Sequence, residues 1–230
     1  MKKLICTVLI LGAISPLASS QALVAGIKGI YNSTWLLNTH VSEAASTDQS
    51  YVPSFGYSYG VSGALFLSKK FGVEMNVLYA THSQQYEGEQ YTSETSLEKI
   101  DVPIMLKFQS KTKVYLELGI QYALVSKANY YYNLPPLIEL DQDISEKVAK
   151  SSIDAVGGIG IELDMFLGLA FNAGLRFTGS LTDMEGVDAL GLDLSDPLNL
   201  NLNYNGNYEP THSLSAGFLV GLTYSIGRKE

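Results

Sequence analysis

The chain has one cysteine, Cys6, and it sits in an N-terminal segment that reads as a leader. Lys2 and Lys3 precede an apolar run from Leu4 to Ile14, and Ser15, Pro16 and small residues follow, which is the pattern of a secretory signal peptide. Cleavage after Ser20 or after Ala22 satisfies the small-residue rule, so residues 1–22 are read as leader and 23–230 as one mature domain. The mature chain then has no thiol, which excludes disulfides and Cys-ligated metals, and Cys6 is badly placed to carry a lipid. Long apolar runs are also missing. Beyond the leader nothing approaches the ~18 to 20 residues of a transmembrane helix, so any crossing of a membrane is made by strands. Positive charge is scarce: 15 Lys and Arg against 23 Asp and Glu give −8, and losing the two leader lysines gives −8 − 2 = −10. Without clustered Lys and Arg, nucleic acid is excluded as a partner. There is no Gly-rich phosphate loop and no zinc motif, and no cofactor is expected. Trp35 is the only tryptophan, whereas tyrosine occurs 15 times, a balance that suits interfacial aromatic belts.

What the mature chain does contain is alternation. In 213–226, Leu214, Ala216, Phe218, Val220, Leu222, Tyr224 and Ile226 alternate with small and mostly polar residues, a strand signal longer than the usual five or six residues. Segments 167–181, 151–164, 114–125 and 98–108 repeat it, as do 72–82 and 55–67 and, more weakly, 23–33. That makes eight strands of the ~9 to 11 residues a tilted membrane strand needs. The connections alternate in length. Those at 68–71, 109–113 and around Met165 are tight, while 34–54, 83–96, 126–150 and 182–212 are long. Sorting by parity is what an eight-stranded antiparallel up-and-down transmembrane β-barrel produces, with short periplasmic turns, long external loops and both termini periplasmic. An even count closes the sheet, which lipid requires because unpaired backbone groups are costly there. The rival is a soluble barrel of lipocalin type with its apolar face inward. Lipid outside is favoured because the opposite face mixes charges with many glycines and serines, an odd surface to show to water.

At 100–108 the chain reads IDVPIMLKF, at 114–125 VYLELGIQYALV, and at 25–33 AGIKGIYNS. With Ile100, Pro103, Lys107 and Gly119 in their places, the mature chain resembles the PorT-like outer-membrane β-barrel family of Bacteroidota. The resemblance implies the architecture and a location in the bacterial outer membrane. It does not bring over the secretion role of the family's namesake, and the chain departs from the usual C-terminal aromatic residue by ending Gly227, Arg228, Lys229, Glu230.

An eight-stranded barrel is just wide enough to be filled by side chains. The inward charges, Lys28, Glu74, Asp101, Lys107, Glu117, Asp154, Glu162 and Arg176, are therefore expected to pair across the lumen, with Glu74, Lys107, Glu117 and Glu162 near the periplasmic end and Asp101, Asp154 and Arg176 higher. The competing reading of the same residues is a proton or ion path. Of His40, His82 and His212, only His82 suggests catalysis, with Ser83 and Glu87 as in some barrel lipid hydrolases, but neighbours on a strand face opposite ways and no catalytic site is assigned. Asp141, Asp143 and Glu146, and separately Asp183, Glu185 and Asp188, offer oxygen ligands for calcium without EF-hand spacing; solvated loop charge is the preferred reading and no metal site is assigned. The alternation from Leu190 to Tyr204 reads as a hairpin turning at 195–197, which either caps the mouth with Tyr130 to Tyr132 or offers an apolar face to a partner. The expectation is a monomeric, non-enzymatic barrel in contact with outer-membrane lipid, acting as a structural or interaction protein through its loops toward an envelope or extracellular partner. A secretion-associated component, a barrel hydrolase and a soluble carrier are the alternatives.

Overall fold

The computed structural model describes residues 22–39, 50–88, 91–136, 138–185 and 209–226. The leader, His40, Asp188, the alternating 190–204 segment and the last four residues lie outside them. Ten strands follow one another: β1 (Ala22–Leu37), β2 (Ser50–Val52), β3 (Ser54–Phe66), β4 (Phe71–Glu87), β5 (Thr92–Gln109), β6 (Val114–Leu134), β7 (Ile138–Asp143), β8 (Ser151–Asp164), β9 (Leu169–Ser180) and β10 (His212–Ile226). Eight of them, all except β2 and β7, pair antiparallel with their sequence neighbours in turn, and β10 returns to β1 from Leu23↔Ile226 to Leu37↔His212. The sheet closes on itself, so every long strand has a partner on both sides.

The alternation falls as the sequence predicts. On β6, Leu116, Leu118 and Ile120 face out while Tyr115, Glu117 and Gln121 are buried inside. On β1, Ile27 and Tyr31 face out while Lys28 and Asn32 face in. An outside this apolar, with Leu118 66% and Phe218 71% exposed, suits hydrocarbon and not water. The lipocalin-type alternative is overturned here, because the charges are inside. Aromatic rings edge the band. Tyr31 stacks on Phe55 at 5.6 Å, Tyr57 on Tyr59 at 6.2 Å, and Tyr59 meets Tyr79 at 5.5 Å. Phe71, Phe108 and Tyr224 stand exposed near the short turns. The twelve steps from Phe55 to Leu67, at ~3.3 Å each on a strand tilted ~45°, span about 28 Å, close to a hydrocarbon core.

Three departures from the sequence reading stand out, two above that band and one at a short turn below it. Residues 83–96 are mostly strand: β4 and β5 run on as a hairpin to a turn in which Gly88 N donates to Tyr91 O. β6 continues likewise and β7 pairs with its upper part from Asn129↔Asp143 to Leu134↔Ile138. Between the two halves of β6 the pairing with β5 jumps from Lys99↔Val125 to Glu98↔Lys127, so Ser126 is the extra residue of a bulge and the inward parity passes from Tyr115 and Gln121 to Ala128 and Tyr130. The segment read as starting at 167 instead turns there. Leu167 and Gly168 have φ of 57° and 80°, and β9 begins at Leu169.

One local irregularity has a covalent cause. Pro103 faces the lumen in mid-strand and has no N–H, and the β4–β5 pairing passes from Met75↔Ile104 to Leu78↔Asp101 without the two pairs between.

Candidate functional site

The lumen is filled in three levels. At the lowest, Glu74 on β4 is bonded to Lys28 on β1 and accepts from Lys107 Nζ on β5 at 3.1 Å. Arg176 on β9 reaches Glu117 Oε1 on β6 through Nε at 2.8 Å and Nη2 at 2.5 Å, and its Nη2 lies 3.7 Å from Glu74. In the orientation of its amide that satisfies both groups, Asn76 donates to Glu74 and accepts from Arg176 Nη1, each at 3.2 Å. Lys107 Nζ also lies 4.2 Å from the centre of the Tyr115 ring. Five of the eight sequence-predicted residues thus form one layer that draws on five strands of the barrel. Arg176, expected higher, joins it: only Gly158 stands between the two in the register, paired with Glu117 on one side and with Arg176 on the other.

Small residues make the room. A Cβ on Gly158 would lie 2.7 Å from Glu117 Oε1, and one on Gly160 would lie 2.4 Å from the Tyr115 hydroxyl and 2.5 Å from Ala173 O. Glycines in β8 are therefore the space that Glu117 and Tyr115 occupy, which is what a charged plug in so narrow a barrel demands. Glu162 is buried on the same face of β8, nearer the periplasmic turn.

The middle level separates Asp101 and Asp154 from this layer. Asp154 accepts from Gln121 Nε2 at 2.9 Å and Ser152 Oγ at 2.7 Å. Asp101 and Lys99, both on β5 and both buried, border a cavity of about 20 Å³ that Asn32, Ser58, His82 and Arg176 also line. Sequence reasoning missed Lys99, which lies inside the 98–108 segment on the same face as Asp101 but before its first apolar residue on the alternate face, Ile100.

Over the cavity lies an apolar cap in which Leu36, Leu97, Tyr130, Tyr132, Ile144, Val148 and Met184 pack together. Backbone bonds hold it shut: Val125 N donates to Lys150 O at 2.9 Å, Ala149 N to Met184 O at 2.8 Å, and Met184 N to Thr211 O at 3.0 Å. Tyr130 and Tyr132 therefore cap the mouth together with residues 144–148 and Met184.

The other candidates do not assemble. His82 points inward, its ring 3.4 Å from Ser213 Oγ and 3.2 Å from Trp35 O, while Ser83 faces the other way and donates to Phe55 O. His212 lies against Ser180 O at 3.2 Å. Asp143 accepts from Ser145 N, which with the Ser145 side chain holds its carboxyl below the usual value; Glu146 pairs with Lys150; and Asp183 accepts from Glu185 N and Thr211 N. No group of three metal-ligating side chains is gathered among the described residues.

Solved barrels resemble this one. Ail of Yersinia pestis, solved with the heparin analogue sucrose octasulfate, is 8% identical over 89% of this chain and 99% of its own, with a TM-score of 0.44. OprG of Pseudomonas aeruginosa is 10% identical over 92% and 98%, at 0.48. The protease OmpT of Escherichia coli is 7% identical over 91% and 97%, at 0.38. No curated protein matches in sequence. The family model described as outer membrane protein beta-barrel domain, however, matches residues 20–186. With a closed, apolar-faced sheet, a charge-filled lumen and that match over most of its length, the chain belongs to the outer membrane protein beta-barrel domain family and resides in the bacterial outer membrane.

Proposed function

We propose that the protein is a sealed, monomeric barrel that works through the structure it raises above the bilayer, after removal of its leader at residues 1–22. The observation that carries this is the double closure of the lumen, by the Glu74 and Glu117 ion pairs below and the cap around Met184 above. A barrel blocked at two depths offers no path for a solute, and pairing takes up Lys28, Glu74, Lys107, Glu117 and Arg176, five of the charges that an ion path would otherwise use. What is left to act is the extramembrane sheet of β4 to β7. Its outer face shows Glu87, Glu94, Glu98, Glu139, Asp141 and Asp143 against Lys127. So acidic a wall favours a structural or interaction role toward an envelope or extracellular protein. Within the family we take the chain to be PorT-like on the strength of the 100–108 and 114–125 segments. Hydrolysis is disfavoured because His82 and Ser83 point to opposite sides of β4.

The test uses the absence of any mature cysteine. A cysteine placed at Asn129 on the outer wall, and a control at Ile104 on the lipid face, are cross-linked in intact cells. The proposal expects a discrete protein adduct from position 129 and none from 104. Adducts from neither position, with a growth or envelope defect that tracks lumen variants instead, would contradict it.

A further inference from the structure

We propose that the upper lumen contains a built site for one small neutral hydrogen-bonding molecule, water, held between Lys99 and Asp101. Neither of these two charges belongs to the lower ion-pair layer or to the Asp154 contacts. Asp101 is 7% exposed and its Oδ1 has no hydrogen-bond partner among the described residues. Lys99 is 4% exposed and forms no ion pair among them. Both border the same cavity of about 20 Å³, and no ion pair joins them among the described residues.

The size and chemistry of that void select its occupant. A water molecule needs roughly 10 to 15 Å³ of such space and two to four polar partners. Here Lys99 donates, Asp101 accepts, and Ser58 on β3 and Asn32 on β1 supply further groups. A cation placed there meets Lys99 and the Arg176 guanidinium, and an anion meets the orphaned Asp101 oxygen, whereas a neutral donor and acceptor satisfies both ends. An empty void is the property of apolar cavities, and this lining is polar. The molecule bridges two opposite charges that stand two residues apart on the inward face of β5.

Crystals of the refolded mature protein soaked in bromide provide the test. The site predicts one solvent peak within hydrogen-bond distance of Lys99 Nζ and Asp101 Oδ1, with no anomalous bromide signal. A bromide peak would make it an anion site, and an empty void or a direct Lys99–Asp101 pair would equally overturn the proposal. As a second readout, water-to-protein polarisation transfer in solid-state NMR should reach the Gln121 side chain in wild type and fall several-fold in a Lys99→Met, Asp101→Leu barrel that still shows heat-modifiable gel mobility. Unchanged transfer in that variant counts against the site.

Discussion

Replacing Glu74 by Gln removes one negative charge from among Lys28, Lys107 and Arg176 and leaves the side-chain volume almost unchanged. The Lys28 and Glu74 side chains are 0% and 3% exposed, so water does not reach the ammonium that loses its partner. Counting only the paired groups, three cations and two carboxylates give +1, and the substitution takes this to +2. Breaking a buried pair costs about 3 to 5 kcal/mol, which at ~1.4 kcal/mol per tenfold lowers the folding constant roughly 100- to 4,000-fold. An exposed pair sets the contrast. Lys150 and Glu146 are 60% and 91% exposed, and Glu146→Gln should cost less than about 1 kcal/mol. Guanidinium unfolding of the barrel in lipid vesicles, followed by fluorescence of the single Trp35, measures both. Lys28→Met together with Glu74→Gln returns the count to +1 and should recover most of the loss. The reasoning fails if Glu74→Gln costs less than about 1 kcal/mol, or if the double variant is no more stable than the single.

Three other outcomes follow from particular contacts. Gly160→Ala places a methyl 2.5 Å from Ala173 O and against Tyr115, and should lower stability by about 1 to 3 kcal/mol in the same titration; no loss would mean that β8 is not tightly packed. Leu118→Arg puts a charge on the lipid face and should cost about 2 to 4 kcal/mol in vesicles, so a neutral result would take that face out of the hydrocarbon. Asp143 is held below its ordinary pKa of 3.8 by Ser145, so its contribution to the 143–145 turn is present above that value and fades only as pH falls through the lowered one. Carboxyl carbon shifts should show Ser145→Ala moving the titration back up, and an unmoved midpoint would refute the assignment.

The membrane-embedded part was legible because lipid outside and charge inside impose a period of two, visible from Leu214 to Ile226 as clearly as from Val114 to Leu124. Above the bilayer that contrast disappears. Ser83, Gln85 and Glu87 face out and Gln84 faces in, so 83–96 lacks an apolar face and reads as loop although it is strand. The Ser126 bulge hid the rest of β6, since a single extra residue turns Ala128, Tyr130 and Tyr132, which share the parity of lipid-facing Leu116 and Leu118, into the lumen. In the site, inward direction followed from parity, but pairing did not. Arg176 meets Glu117 because only side-chain-free Gly158 stands between them in the register, whereas Asp154 finds Gln121 and Asp101 joins no ion pair among the described residues. Lys99 was missed because a lysine at the end of an apolar run looks like its polar border.

The sealed lumen is tested most directly by recording current across a planar bilayer into which the refolded mature protein has been inserted. The wild type should show no ion-sized steps, and Glu117→Ala combined with Met184→Ser, which loosens both the ion-pair layer and the cap, should introduce them. Regular conductance steps from the wild type would contradict the account and make the lumen, not the extramembrane sheet, the working part of the protein.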